Sequence, residues 1–246
     1  MDDFYKTLQE NTGFLEQLRN IGPPVRHPDW VKDKLAHYKA YPEPDSFYFI
    51  VDLRGNPLPH LTEITNAKKV MGYQDLHFEY FLRQIHPNYL NIYLKYGAAA
   101  YEANLAYAEE TFSHHISYSS LVPLYSVKEQ CHWWVKQLCF AYGFDANNHM
   151  VSHLNIYRLV ARYEGFLPSK PNFTYNFKAK TEVEESIIAI TRKKLIADLF
   201  KELSDRKQKI LLAYWRLYQQ HPSQFPKPEA VGILVGLKAS SVQKYK

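Results

Sequence analysis

Residues 131–160 read CHWWVKQLCFAYGFDANNHMVSHLNIYRLV. Two long runs rich in β-branched and aromatic residues flank DANNH, a cluster of turn formers, so the stretch predicts strand, hairpin loop, strand. A third run, SHHISYSSLVPLYS, precedes it across VKEQ. The three together predict an antiparallel meander.

Upstream, DSFYFIVDLRGNPLPHLTEIT reads as strand, turn, strand. TNAKKVMGY predicts a short helix, with Thr65 or Asn66 to cap it and Gly72 to close it. Residues 75–110 are strongly helical, with a break at HPN. Leu90, Tyr93, Leu94, Gly97, Tyr101, Leu105 and Ala108 fall on one stripe at helical spacing. DWVKDKLAHYKAY predicts another helix, with Asp29 as N-cap. Residues 3–20 are loosely helical around Phe4, Leu8, Phe14, Leu15 and Leu18. GFLPSKPNFTYNFKAK has two prolines and no period, which predicts a linker. Two further helices are expected over residues 181–203 and after Ser204, the second capped by that serine.

The chain has 246 residues, 46% hydrophobic and 22% charged, enough to bury a core in one large or two modest domains. No apolar run approaches the ~18 residues of a membrane span, and the acidic N-terminus lacks the pattern of a signal peptide. Cys131 and Cys139 lie on one predicted strand, too far apart to bridge. A reducing cytoplasm and no membrane association are therefore expected. Charge is uneven. Residues 1–190 hold 18 Lys/Arg and 21 Asp/Glu, net −3; residues 191–246 hold 12 and 4, net +8. A basic tail on a slightly acidic body points to a polyanion partner.

The element order over residues 47–166 resembles a PAS domain, through FYFIVDLRGN, TNAKKVMGY, IHPNYLNIYLKYG and the 131–160 hairpin. The resemblance implies an α+β fold: a curved antiparallel sheet with helices over one face. Between them it implies either a pocket for an apolar or aromatic small molecule or a packed, ligand-free core. Tyr48, Phe81, Tyr101, Trp134 and Tyr157 are the candidate pocket residues. A flavin photoreceptor of this fold carries a reactive Cys in a polar motif on a helix, whereas both cysteines here fall in a strand. Haem-binding relatives use a helical His, for which His77 and His86 are available, though without a partner motif. No cofactor is expected. His114 and His115, adjacent on a predicted strand, face opposite sides, and His132 and His153 add no metal-ligand spacing. No phosphate loop, nucleophile elbow or zinc-protease motif occurs, so an enzyme is not expected.

LSDRKQKILLAYW and EAVGILVGLKASSVQKYK resemble the helices of a LuxR-type helix-turn-helix domain. Leu203, Ser204, Arg206, Ile210 and Leu211 fit its first helix; Lys207 stands where Glu is common. Val231 and Gly232 match a helix-packing pair, Gly236 and Leu237 the turn, and Ser241, Val242 and Gln243 the start of the recognition helix. The link RLYQQHPSQFPKP is longer than usual. The family's fourth helix has no counterpart, so the domain is expected to be incomplete at its C-terminus. The resemblance implies DNA as partner: Ser240, Ser241, Gln243 and Lys244 within reach of bases and phosphates, Lys227, Lys238 and Lys246 attracted to phosphates.

The expected organisation is an N-terminal helical segment (1–46), a PAS-like domain (47–166), a linker (167–180) and a small all-α DNA-binding domain (181–246). The expected function is a homodimeric transcription regulator coupling sensing or dimerisation to DNA binding. The alternative is a PAS-type signalling or interaction protein that binds no DNA.

Overall fold

The computed structural model describes residues 4, 8, 22–55, 58–113, 117–165, 203–220 and 226–244. They fall into two units, divided between positions 195 and 196. The linker expected at 167–180, nearly all of the helix expected at 181–203, His114, His115 and Lys246 lie outside the described residues.

The first unit runs α1 (Asp29–Ala40), β1 (Ser46–Asp52), β2 (His60–Thr65), α2 (Ala67–Met71), α3 (Phe78–Gln84), α4 (Pro87–Ala106) and α5 (Ala108–Ser113). Then come β3 (Tyr118–Ser126), β4 (Cys131–Phe144) and β5 (Met150–Arg162). The five strands make one antiparallel sheet in the order β2-β1-β5-β4-β3. The DANNH turn closes on its own aspartate. One carboxylate oxygen of Asp145 accepts the N–H groups of Asn147 (2.9 Å) and His149 (2.8 Å), the local bonding for which Asp is favoured in turns.

β1 is buried at six of its seven positions, as expected of a central strand covered on both faces. Phe47, Phe49 and Val51 face a core shared with Met71, Phe81, Leu82, Val135 and Tyr157, beneath α2–α5. Tyr48 and Ile50 face the other way, and with Leu138, Phe140, Leu154 and Ile156 they pack on Val31 and Leu35 of α1. Residues 22–46 are thus built onto the same sheet, and Arg26 adds a bridge to Phe144. The N-cap of α1 is Pro28, with no side-chain bond, not Asp29. Asp29 sits inside the first turn, where a carboxylate suits the helix dipole, and pairs with Lys32 at 3.2 Å. Gly72 closes α2 at φ 81, and a Cβ there would lie 2.7 Å from the Lys128 backbone nitrogen.

The second unit comprises α6 (Asp205–Gln220), α7 (Pro228–Val235) and α8 (Ala239–Gln243). Ile210, Ala213 and Tyr214 meet Val231 and Val242 in a small apolar core. Gly232 is required by close approach: a Cβ would sit 2.4 Å from the Leu237 carbonyl oxygen. Among the described residues no helix is long and apolar enough to cross a membrane.

Candidate functional site

Alternation along the strands sends Gln137 and Cys139 of β4, and His153, Asn155 and Tyr157 of β5, towards α4, beside Phe49 and Val51 of β1. The facing side of α4 presents Tyr93, Leu94, Gly97, Ala100, Tyr101 and Asn104. Two of these are small, and the gap they leave is a cavity of about 100 Å³. Gly97 is exposed, and a Cβ on it would meet no atom within 4 Å, so it stands at the mouth.

The polar floor is a connected network. Gln137 Nε2 donates to Asn155 Oδ1 (2.7 Å) and lies 3.2 Å from the hydroxyls of Tyr93 and Tyr157. Its Oε1 accepts from Ser120 Oγ at 2.9 Å, and the two tyrosine hydroxyls are 3.0 Å apart. Asn104 is buried on the wall. Its Nδ2 donates to the Ala100 carbonyl at 2.7 Å, while its Oδ1 has no hydrogen-bond partner among the described residues. His153 Nδ1 is likewise without a partner there.

Enclosure makes this lining neutral. Burial holds the His153 imidazole down to about 4, and pushes the Cys139 thiol up to about 12. The Tyr101 phenol rises to about 12 through burial, with the Asp145 charge adding to it, and Tyr93 and Tyr157 are raised by burial as well. Cys139 is therefore a protonated thiol at neutral pH and a poor nucleophile. Among the described lining residues there is no Asp, Glu, Lys or Arg.

Of the five candidate pocket residues, Phe81, Tyr101 and Tyr157 line this cavity. Tyr48 does not: it lies between the inward-facing Phe47 and Phe49, so its ring points to the opposite face, 6.4 Å from that of Tyr38. Trp134 does not either. It is buried edge-on against Tyr89 (5.3 Å) and Tyr163 (5.2 Å), away from the wall. Gln137, Asn155, His153 and Asn104 were not among the candidates. For the strand residues a signal is present in the sequence: polar residues two apart, Gln137/Cys139 and His153/Asn155, inside strands rich in apolar residues. His77 and His86 cap helices. Their Nδ1 atoms accept from the N–H groups of Tyr80 and Asn88, each at 3.3 Å, and neither residue lines the cavity. The His132 ring lies 5.0 Å from that of His86, and its pKa is lowered by burial and then by the His86 charge. No group of three His, Cys, Asp or Glu is placed to hold a metal among the described residues.

In the helical unit, Lys227 and Lys238 occupy the N-cap positions of α7 and α8 and are exposed. Ser240, Gln243 and Lys244 are exposed; Ser241 is half-buried and its N–H donates to the Lys238 carbonyl at 2.9 Å. Ile233 is 82% exposed and Leu234 56%, an unusual pair of apolar side chains facing water.

No protein-family model and no curated protein sequence matches the chain. Several solved structures do. A sensory box histidine kinase/response regulator from Burkholderia thailandensis is 15% identical, over 53% of this chain and 85% of that one, with a TM-score of 0.32. A PAS domain from Colwellia psychrerythraea is 13% identical, over 54% and 98%, with a TM-score of 0.32. A fungal LOV domain photoreceptor is 10% identical, over 53% and 90%, with a TM-score of 0.29. The first unit has the antiparallel sheet that the resemblance implies, five-stranded, with α2–α5 packed over one face, α1 over the other, and a cavity beneath α4.

Proposed function

We propose that this chain is a non-enzymatic, signal-responsive regulator in which the sheet unit holds a small molecule and the helical unit engages DNA. One observation carries the sensing half. The α4 cavity combines aromatic walls with a built polar floor, and two of its polar atoms have no partner among the described residues. Convergent polar groups in an apolar cavity are the usual make-up of a small-molecule site. The DNA half draws on the +8 balance of residues 191–246 and on exposed Lys227, Lys238, Gln243 and Lys244. A homodimer, and the LuxR-type reading of α6–α8, belong to the same proposal.

The test is a binding titration of the full chain on short duplex DNA at two salt concentrations. Affinity is expected to fall steeply with salt, and Lys238→Glu with Lys244→Glu to abolish it. Exposed Ile233 and Leu234 favour a second reading, a protein-interaction module. Absence of any salt-sensitive DNA binding makes that second reading the better one.

A further inference from the structure

The α4 cavity specifies more than a generic ligand. Its volume, about 100 Å³, is on the scale of one six-membered ring, well below the several hundred Å³ of sites for drug-sized molecules. Its walls already favour aromatic contact. Phe81 meets Phe49 edge-on at 5.1 Å and is tilted against Tyr157 at 5.2 Å, so a further ring would find both faces and edges to pack on. With no Asp, Glu, Lys or Arg among its described lining residues, the cavity offers a charged ligand no counter-ion for the hydration it would lose.

Asn104 adds direction. It is 3% exposed, and its Nδ2 is held by the Ala100 carbonyl. What remains is Oδ1, an acceptor with no donor among the described residues. A buried acceptor in that state is open to a donor on a bound molecule. Resting on the reading of the sheet unit as a small-molecule sensor, we propose that the cavity takes a neutral, single-ring aromatic molecule of the phenol type. Its ring lies in the cavity beneath α4, and its O–H or N–H donates to Asn104 Oδ1. Gly97 is the entrance.

Phenol, toluene and benzoate titrated calorimetrically into the full chain separate the three elements of this assignment. Phenol binds one to one and raises the melting temperature with the logarithm of its concentration once that exceeds Kd. Toluene, of similar shape but without a donor, binds about three- to tenfold more weakly. Benzoate does not bind. Asn104→Ala removes the advantage of phenol over toluene, and Asn104→Leu gives a second reading should the alanine variant fold incompletely. Gly97→Leu, which fills the mouth, weakens both ligands. Benzoate binding as tightly as phenol, or a phenol advantage that survives loss of Asn104, overturns the assignment. If phenol fails while a flavin, haem or a fatty acid binds, this ligand class is wrong and the sensor reading stands. If nothing in that panel binds, both fall.

Discussion

The two faces of the sheet are built from alternate residues of the same strands, and they differ in kind. On the α1 side β4 contributes Leu138 and Phe140, and β5 contributes Leu154 and Ile156, sealed by Val31 and Leu35. On the α4 side the intervening positions are Gln137, Cys139, His153 and Asn155, around a void. Burying amides and an imidazole costs free energy unless each is hydrogen-bonded, and a void forfeits packing contacts. The first face packs its four strand positions with apolar side chains. The second gives up stability to keep polar groups poised under a helix, which is the arrangement of a site.

Leu154→Ala tests the α1 face and has the largest expected effect. Leu154 has no exposed surface, and its truncation is expected to cost about 3 kcal/mol in urea unfolding followed by tryptophan fluorescence. A loss near zero would mean that α1 does not seal that face in solution.

On the α4 side, Gln137→Leu is expected to cost about 2 kcal/mol, because Asn155 Oδ1 and two tyrosine hydroxyls lose their shared donor while staying buried. Adding Asn155→Leu then recovers part of the loss, since two apolar partners leave nothing unpaired. If the double variant is less stable than the single one, the floor is not the coupled network described above.

The contrast between the faces was half legible in the sequence. DANNH, the meander and the short helix closed by Gly72 follow from local turn chemistry and residue type, and local signals need no knowledge of the partner. Tyr48 was misassigned because aromaticity says nothing about side: β1 is buried on both faces, so the alternation that would place Tyr48 opposite Phe47 and Phe49 is invisible in its composition. The helical stripe located Tyr93, Leu94, Gly97 and Tyr101 but ran on to Leu105, which is 39% exposed. The wall continues through Asn104 instead, one residue earlier, and an asparagine carries no hydrophobic signal. Its significance depends on an acceptor left without a donor, which only the fold reveals.

His153 gives the α4 face a pH dependence on the acid side. Its folded pKa, about 4, lies below the 6.5 of an unfolded chain, and the cause is burial. Above pH 6.5 the ring is neutral in both states and its contribution is complete. As pH falls towards 4 the unfolded state takes up a proton that the folded state refuses, so stability is lost across that window. Because the ring borders a cavity that can admit water, roughly 1–2 kcal/mol is expected, less than the full shift would imply. Stability curves of the full chain and of His153→Leu, measured at pH 7 and pH 4.5, isolate this contribution from carboxylates such as Asp145. Equal slopes in the two proteins would place the imidazole in bulk solvent.

Gly97→Ala has the smallest effect and separates the cost of the site from the cost of the fold. Gly97 lies inside the twenty-residue α4, where glycine is a poor helix former, and a Cβ there would touch nothing within 4 Å. Alanine is therefore expected to stabilise by about 0.5–1 kcal/mol, through backbone entropy and without a clash. On the α1 side no such gain is open at Val31 or Leu35, whose side chains are already packed. A methyl group narrows the mouth without closing it, so ligand entry is expected to slow while affinity changes little, in contrast to Gly97→Leu. A destabilised alanine variant would show that α4 lies closer to the sheet than described and that the cavity is closed at this end. A stabilised one would locate, at a single position, free energy given up to keep the entrance open.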